Sequence, residues 1–310
     1  MEEKIEIMNL LQNKQILEHE LQSLAYGSVE IRKNNSNKYI YVHYREDGVA
    51  LTKYIGEYSD ELYNLVLNNN IKAKQLKKQI REITKKLKQL NYTEEELSEK
   101  VEQNIDFAKR HLVDTIYKQA ILEGVATTFA DTESIIEGGK VNNMTSEDIL
   151  KIVNLKHAWE FILNKNVILS DTNFALLCEI NKMVEEGFYY TAGKVRNTPV
   201  TIGGTTWKPD LPIESVIKEE LEKIFSKELD DIDRAIELLL YTMKKQVFID
   251  GNKRTAVIYS NHYLISKGKG IIAIPAELTQ EFKDLLIPYY EGKDESKIKK
   301  FIKEKCYMSI

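Results

Sequence analysis

The string at residues 246–256 joins two apolar-patterned helices through a short polar turn, and it constrains the chain more than any other segment. One helix is predicted to end near Gln246 and the next to begin at about Lys253. Backbone amides at the amino end of a helix are unpaired, and the helix dipole adds partial positive charge there. Such a turn suits phosphate oxygens, and Gly251 lets the backbone approach them closely. The string therefore predicts an anion site in a mainly helical domain.

The charged residues of this turn indicate which anion it would hold. Lys253 and Arg254 supply full positive charges, and the guanidinium is a planar fork suited to phosphate. Asp250 is a candidate Mg²⁺ ligand, because Mg²⁺ commonly uses one or two carboxylates together with phosphate oxygens. We expect a nucleotide-phosphate site made by Gly251, Asn252, Lys253 and Arg254, with Asp250 as the metal ligand.

The second half of the chain has the apolar spacing of helices. One stretch, residues 189–212, interrupts this pattern with a short β-like run, two glycines and prolines, and it predicts a β-hairpin. The predicted helices cover residues 147–164, 172–186, 213–226, 230–246, 253–267 and 278–290, with a last one from residue 295.

In the first 55 residues, the spacing of apolar residues changes from the helical period to the alternation of a strand. Residues 4–25 have helical spacing, whereas residues 28–33, 39–44 and 49–55 are rich in Val, Ile and Tyr. The turn signals between these runs, at residues 34–37 and 47–48, are typical of hairpins. The pattern predicts a helix followed by a three-stranded antiparallel meander.

A strongly basic helix is predicted to follow the meander. Its apolar residues recur in steps of three and four, as in a coiled-coil seam: Ala73, Leu76, Ile80, Ile83, Leu87 and Leu90. The remaining positions are largely basic: Lys72, Lys74, Lys77, Lys78, Arg81, Lys85, Lys86 and Lys88. Thr93 and Glu96 form a capping-box signature for an acidic helix, so the two helices predict an antiparallel hairpin. The lysines form either a nucleic-acid patch or a solvated face balanced by the acidic neighbour.

Composition limits the class of protein. At 310 residues the chain is long enough for a main domain with an appended module, and its net charge of −4 argues against a dedicated nucleic-acid binder. Cys178 and Cys306 are too few and too far apart for a disulfide framework or a zinc site, which favours a reducing cytosol. The charged amino terminus is not a signal peptide, and no apolar run reaches the ~20 residues of a membrane span. We expect a cytoplasmic protein without a membrane partner.

The turn resembles the signature of the Fic/Doc (Fido) superfamily, in which His-Pro-Phe precedes an acidic residue and Gly-Asn-Gly/Lys-Arg. Matching positions are Phe248, Asp250, Gly251, Asn252 and Arg254. Two upstream segments agree with the resemblance. Residues 132–138 resemble the family's inhibitory-helix motif, with Ser134 and Glu137 as its candidate residues. The stretch before the signature helices resembles the target-docking flap, with these residues: Lys194, Arg196, Thr201, Ile202, Gly203, Gly204 and Thr205.

The resemblance implies a transferase that moves AMP, or in the Doc branch a phosphate, onto a hydroxyl side chain of a target protein. ATP would be the substrate and Mg²⁺ the cofactor. The implied catalytic positions are Gln246, Asp250, Asn252 and Arg254. The flap would hold the target protein as an added strand. A homo-oligomer is an alternative assembly that the sequence leaves open.

The chain departs from the family pattern at three positions. Gln246 replaces the histidine that acts as general base, and a carboxamide cannot accept a proton at neutral pH. Lys253 replaces the second glycine, as in the Doc branch, and Val257 replaces the second arginine that would pair with Glu137. His262 lies roughly 13 Å along the helix from Lys253 and is expected to have a packing or surface role.

These observations predict a mainly α fold: a Fic-type helical bundle with a β-hairpin flap, preceded by the meander and the helical hairpin. The expected division is an amino-terminal module at residues 1–92, a linking and inhibitory segment at 93–145 and a Fic-like core at 146–310. Three functions stay open. The chain is a transferase (a protein adenylyltransferase if active), an inactive Fic-fold regulator that binds nucleotide or a partner, or a nucleic-acid-binding regulator of the toxin–antitoxin type.

Overall fold

The computed structural model describes residues 2–34, 37–46, 49–90, 92, 97–142 and 144–310. It contains two compact units, Met1–Thr93 and Glu94–Ile310. The tips of the two predicted hairpin turns, the helix break at Asn91 and the capping box of Thr93 with Glu96 lie outside the described residues. The division into three segments stays a prediction.

The first unit consists of a helix, a three-stranded sheet and a long helix. These are α1 (Glu2–Ser23), β1 (Ser28–Asn34), β2 (Asn37–Glu46), β3 (Val49–Glu57) and α2 (Asp60–Gln89). The sheet is antiparallel with the order β1-β2-β3, which confirms the predicted meander. Ile40 and Val42 of β2 are buried, because alternate residues of a strand face one side of a sheet.

The basic helix α2 packs on α1 through its apolar seam. The Ser59 side chain caps α2 by accepting a hydrogen bond from the Leu62 amide. Ala73, Leu76 and Leu87 of the predicted seam are buried, and α1 is the helix that packs along α2 within this unit. The acidic helix predicted as its partner belongs to the second unit.

The second unit is almost entirely helical. Its helices, in chain order, are α3 (Glu99–Arg110), α4 (Leu112–Leu122), α5 (Phe129–Ile136), α6 (Ser146–Ile162), α7 (Lys165–Ile168), α8 (Phe174–Val184), α9 (Glu214–Ser226), α10 (Asp231–Lys245), α11 (Asn252–Ser266), α12 (Thr279–Tyr290) and α13 (Ser296–Phe301). Two short strands, β4 (Ile271–Ile272) and β5 (Tyr307–Met308), pair antiparallel. A 3-10 turn spans Ala276–Leu278, and a π turn, Ile302–Cys306, continues α13.

The seven predicted helices of the second half are confirmed, and three of them begin at a local capping side chain. Thr145, Asn173 and Asp230 each accept a hydrogen bond from a first-turn amide, at the starts of α6, α8 and α10. Such side chains satisfy backbone donors that the helix itself leaves unpaired. The starts of these three helices are therefore set by residues that are visible in the sequence.

Helix α11 is the centre of the second unit. It packs against α10, α8, α6 and α3, and nearly all of its side chains are buried. Two of its buried polar side chains bond groups of other segments: Asn261 bonds both the NH and the C=O of Ile272, and His262 bonds Thr172 and the Val167 carbonyl. The buried Tyr259 hydroxyl has no hydrogen-bond partner among the described residues. Of the two roles expected for His262, packing or surface, the structure shows packing.

The predicted β-hairpin at residues 189–212 is wrong. This stretch consists of turns and irregular chain, and it contains no strand. Three of the five prolines of the chain, Pro199, Pro209 and Pro212, lie in it. Proline cannot donate to a strand ladder, so these residues interrupt pairing on both sides of the short Val-Thr-Ile run.

In the described part of the chain, no helix is both long enough and apolar enough to cross a bilayer.

Candidate functional site

Two left-handed residues shape the turn between α10 and α11. Gln246 ends α10 with φ of 48°, and within the described residues no other residue except glycine has a positive φ. Gly251 begins α11 with φ of 70°. A left-handed backbone costs free energy in any residue that has a side chain. The contacts around Gln246 therefore hold its backbone in this conformation.

Asn252 holds the turn closed. Its Oδ1 accepts from the Phe248 amide at 3.0 Å, and its Nδ2 donates to the Phe248 carbonyl at 2.8 Å. The same Nδ2 donates to the Gln246 Oε1 at 3.2 Å. Asn252 was predicted to contact phosphate, but its side-chain groups are committed to the turn itself. Its amide NH, at the first position of α11, remains the part that could face an anion.

The Gln246 side chain is engaged at both ends. Its Nε2 donates to the Met243 carbonyl at 2.6 Å, while its Oε1 accepts from Asn252. The carboxamide therefore stabilises the end of α10 in the position where the resemblance requires a proton acceptor. A carboxamide in this arrangement has no lone pair basic enough to take a proton.

Arg196 fastens the loop at residues 189–212 to the turn. Its Nε donates to the Gln246 carbonyl at 2.6 Å, and its Nη atoms donate to the Thr198 and Asp210 carbonyls. Its amide also donates to the Val247 carbonyl at 3.0 Å. Arg196 was predicted to belong to a target-docking surface; it is buried and points inward.

The other predicted flap residues lie on the outer part of the same loop. Thr201, Gly203, Gly204 and Lys194 are exposed, and Ile202 is half-buried. Thr205 donates to the Glu291 carboxylate at 2.8 Å. The loop thus has a buried anchor at Arg196 and an exposed outer edge, but it offers no strand to which a target could add.

Three carboxylates surround the guanidinium of Arg254. The Glu185 Oε1 lies 2.7 Å from Nη2, the Glu123 Oε2 lies 3.6 Å from Nε, and the Asp250 Oδ2 lies 3.8 Å from Nη2. The Arg254 side chain is only 3% exposed. Lys253 adds a second cation, 3.3 Å from the Glu123 Oε1. Three acids thus face two cations, and the guanidinium is already occupied.

Glu185 occupies the corner where the sequence predicts phosphate. Its side chain is 1% exposed, and a Cβ placed on Gly251 would overlap its carboxylate. Neither oxygen has a hydrogen-bond partner among the described residues, because the contact with Arg254 lacks hydrogen-bond alignment. Burial raises the pKa of Glu185 to about 7, against the opposing attraction of Arg254. A protein carboxylate therefore sits on the start of α11 in place of an outside anion.

Asp250 is the exposed acid of the cluster. Its side chain is 52% exposed, and its Oδ1 accepts from the Gly251 amide at 2.7 Å. Within the described ranges, no set of three or more acidic, His or Cys side chains could hold a metal. A single carboxylate suits Mg²⁺ that brings nucleotide phosphates as its other ligands. Asp250 fits that kind of site and does not form an all-protein one.

The predicted inhibitory residues lie at the end of α5. Glu137 caps this helix, is exposed, and makes no ion pair with Arg254. Gly138 has φ of 79°, and the Gly139 amide donates to the Ser134 carbonyl at 2.7 Å, which closes the helix end. An inhibitory role for Glu137 and Ser134 stays a prediction.

Glu123 and Glu185 are the site residues that the sequence did not reveal. Both follow the last residue of a helix, α4 and α8 respectively, in runs that carry no motif. The burial of Glu185 and its closeness to Gly251 come from packing of α8 against α11. No local pattern signals that arrangement.

Comparison with known proteins agrees with this geometry. The family model of the Fic/DOC family matches residues 171–264, which include α8, α10, the turn and most of α11. A search of curated proteins gives no match.

Solved structures share the fold at low sequence identity. Fic-1 (residues 134–508) from C. elegans is 16% identical, with a TM-score of 0.53, over 79% of this chain and 77% of that one. A Fic-domain-containing signalling protein from Bacteroides thetaiotaomicron is 19% identical, with a TM-score of 0.51, over 61% and 75%. A Fic family protein from Desulfovibrio desulfuricans is 12% identical, with a TM-score of 0.52, over 67% and 72%. Residues 171–264 therefore match the Fic/DOC family model, and the chain shares the fold of solved Fic-domain structures.

Proposed function

We propose that this Fic-type protein is a regulator that binds nucleotide phosphates at the turn but does not catalyse transfer by a general base. The observation that carries the proposal is the Gln246 side chain, whose amide donates to the Met243 carbonyl and accepts from Asn252. General base catalysis contributes about 10² to 10⁴-fold to a rate. A chain without that base keeps the fold and loses most of the chemistry.

Glu185 does not replace the missing base. Its raised pKa, about 7, would suit proton transfer at neutral pH. However, the carboxylate is 1% exposed and faces the Arg254 guanidinium. A target hydroxyl could not reach its oxygens without displacing α8 or the turn. Glu185 is better described as an internal anion on the phosphate site.

Nucleotide binding at the turn would exchange one anion for another. Phosphate oxygens would compete with the Glu185 carboxylate for the guanidinium of Arg254 and for the amides at the start of α11. Asp250 could hold Mg²⁺ together with ATP, and Mg²⁺ would offset the negative charge that the phosphates add to Glu123 and Asp250. Because like charges repel, we expect binding to be weak while Glu185 is ionised.

Partner binding is supported by exposed apolar side chains at both ends of the loop at residues 189–212. Tyr190 is 96% exposed and Tyr189 42%, while Leu211 and Ile213 are 53% and 61% exposed. Large exposed apolar groups are common at protein interfaces. A partner would therefore contact side chains of the loop, and we propose this loop as the docking surface for a protein.

AMP transfer to a target hydroxyl is the second candidate, and the exposure of Asp250 beside Arg254 favours it. An exposed carboxylate next to a guanidinium is the arrangement that a Mg²⁺–ATP substrate requires. Transfer without a basic side chain would be slow, because Gln246 can only orient a hydroxyl by hydrogen bonding. Phosphate transfer, suggested by Lys253, is a less favoured form of the same candidate.

A label-transfer assay distinguishes the two candidates. The protein is incubated with Mg²⁺, a cell lysate and ATP labelled on the α or, separately, the γ phosphate. We expect no label transfer by the unmodified chain and by Gln246→Asn, the control that keeps a carboxamide. Gln246→His should gain α-label transfer, because it restores a proton acceptor. Label transfer by the unmodified chain, at a rate comparable with that of Gln246→His, would contradict the proposal that the chain is a regulator without transfer activity.

A further inference from the structure

The first unit carries a strong local positive charge that the proposed function does not use. Residues 72–88 of α2 contain eight Lys and Arg residues and a single acid, Glu82, which gives a net charge of +7. The whole chain has a net charge of −4, so the other 293 residues together carry −11. Positive charge is thus concentrated in about five turns of one helix.

Five of these cations form a straight line on the exposed side of α2. They recur in steps of four and three residues, which keeps them on one face of a helix: Lys74, Lys78, Arg81, Lys85 and Lys88. This basic stripe lies opposite the buried seam that packs on α1, and all five side chains are exposed. At a rise of 1.5 Å per residue, the stripe is about 21 Å long.

The stripe is poorly neutralised by neighbouring acids. Elsewhere in the chain many surface lysines pair with an acid one turn away, as Lys118 does with Asp114 and Lys151 with Glu147. Of the stripe, only Lys78 has such a partner, Glu82, at 3.9 Å. The other four make no ion pair with any acid in the described part of the first unit. A solvated face would tolerate this, but a line of five cations with a single ion pair is complementary to a polyanion.

A groove of about 550 Å³ runs over the same face of α2. It is lined by Lys74, Lys77 and Arg81, together with the aromatic ring of Tyr26 and the amides of Asn70 and Gln75. Lys77 lies over the Tyr26 ring, 4.6 Å from its centroid. The Asn70 amide bonds both the NH and the C=O of Gly27 and so fixes the wall of the groove. Cations that follow a backbone next to an aromatic ring are the features of sites for single-stranded nucleic acid.

We infer that α2 binds single-stranded nucleic acid through the basic stripe and the Tyr26 groove. The stripe contacts successive phosphates, and the groove takes a base. A membrane surface fits less well, because the apolar face of α2 is buried against α1 and cannot enter a bilayer. This inference concerns the first unit alone and does not depend on the nucleotide site in the second.

Binding of a labelled oligonucleotide to the full chain tests the inference. Fluorescence anisotropy is measured with single-stranded oligo-dT and oligo-U of about 20 nucleotides, longer than the 4–16 that a small module covers. At about 0.15 M salt we expect binding of the single strands. The affinity should fall with salt with a log–log slope of about −3.5, for five cations at about 0.7 each.

Two matched variants locate the surface. One carries glutamine at the five stripe positions, and the other carries glutamine at five exposed lysines of the second unit: Lys100, Lys109, Lys140, Lys269 and Lys305. The stripe variant should lose at least about 100-fold in affinity and most of its salt slope, whereas the control should change by less than about threefold. Tyr26→Leu, which keeps an apolar side chain, should weaken binding about 5- to 10-fold.

Four outcomes would overturn the inference. The first is an equal loss in the stripe variant and the control, which indicates non-specific attraction. The second is tighter binding of a duplex of the same length than of either single strand. The third is binding to vesicles of anionic phospholipid with none to the oligonucleotides. Circular dichroism of each variant shows whether a loss reflects unfolding, and a folded stripe variant that still binds also overturns the inference.

Discussion

Glu185 is the residue whose environment differs most from what its position in the sequence suggests. It is a carboxylate with almost no exposure, it faces Arg254, and its oxygens have no hydrogen-bond partner in the described structure. Burial of a charge is costly unless the charge is paired and hydrogen-bonded. Glu185 is only partly compensated, so its ionisation should lower the stability of the second unit.

Glu185→Gln should remove a pH-dependent loss of stability. The pKa of Glu185 is raised to about 7 from 4.5. Between these values the unfolded state has released the proton that the folded state keeps, so stability falls as the pH rises from 4.5 through 7. The loss is about 3 kcal/mol at pH 8. Thermal unfolding should show that the stability of the native chain is lower at pH 8 than at pH 5. The difference should be smaller in Glu185→Gln.

Glu186→Gln is the matched control for this measurement, because Glu186 is the exposed neighbour. It should keep the pH dependence of the native chain. If Glu185→Gln and Glu186→Gln gave the same profile, the raised pKa of Glu185 would be refuted.

His262 should give the opposite pH dependence, so that its contribution to stability falls as the pH falls. Burial lowers its pKa to about 4 from 6.5. As the pH falls from 6.5 through 4, the unfolded state takes up a proton that the folded state refuses, so stability falls with the pH by about 3 kcal/mol. In an NMR titration the His262 resonance should stay at its neutral position down to about pH 5. A midpoint near 6.5 would contradict its burial.

At the scale of elements, the start of α11 is shaped by one close approach. Gly251 is left-handed, and a Cβ there would overlap the Glu185 carboxylate. Gly138, at the end of α5, has a similar φ but open space around it. The two glycines therefore allow conformational strain to be separated from overlap.

Gly251→Ala should destabilise the protein more than Gly138→Ala. A left-handed alanine costs about 1–2 kcal/mol in both variants, and the overlap with Glu185 should add about 1–3 kcal/mol at residue 251 alone. Denaturant unfolding gives the two free energies of unfolding. Glu185→Ala should recover part of the loss in a double variant with Gly251→Ala. Equal losses in the two single variants would contradict the close approach.

The loop at residues 189–212 depends on Arg196 for its position. Arg196→Met should leave the Gln246, Thr198 and Asp210 carbonyls without their donor, and it should cost about 3 kcal/mol or more. Limited proteolysis should then cleave the loop faster. Lys194→Met, an exposed control two residues away, should be cleaved at the native rate. Unchanged cleavage of Arg196→Met would show that the loop is held by other contacts.

For the whole molecule, the helices and the meander could be predicted from the sequence, whereas the environment of the site could not. The starts of α6, α8 and α10 follow capping side chains such as Asp230, and the sheet follows period-two runs between turn signals. The hairpin at residues 189–212 was wrong because a three-residue run among prolines is too short for a strand. The contacts of Glu123 and Glu185 with Arg254 arise when separate helices pack together. No local pattern contains that information.

At the turn, the buried carboxylate of Glu185 lies where we propose that phosphate binds. Arg254 and the start of α11 attract an anion, and Glu185 is the anion that the fold supplies. An incoming triphosphate must compete with it, beside Glu123 and Asp250 and with the help of Lys253. Protonation of Glu185 below pH 7 should therefore favour the nucleotide.

Calorimetric titration of the full chain with Mg²⁺–ATP at pH 6 and pH 8 tests this claim most directly. We expect the native chain to bind at least about fivefold more tightly at pH 6, because Glu185 is then largely protonated. Glu185→Gln should bind tightly at both values, and Arg254→Gln should not bind at either. If none of the three proteins bound ATP at either pH, the turn would not be a phosphate site and the account would be refuted.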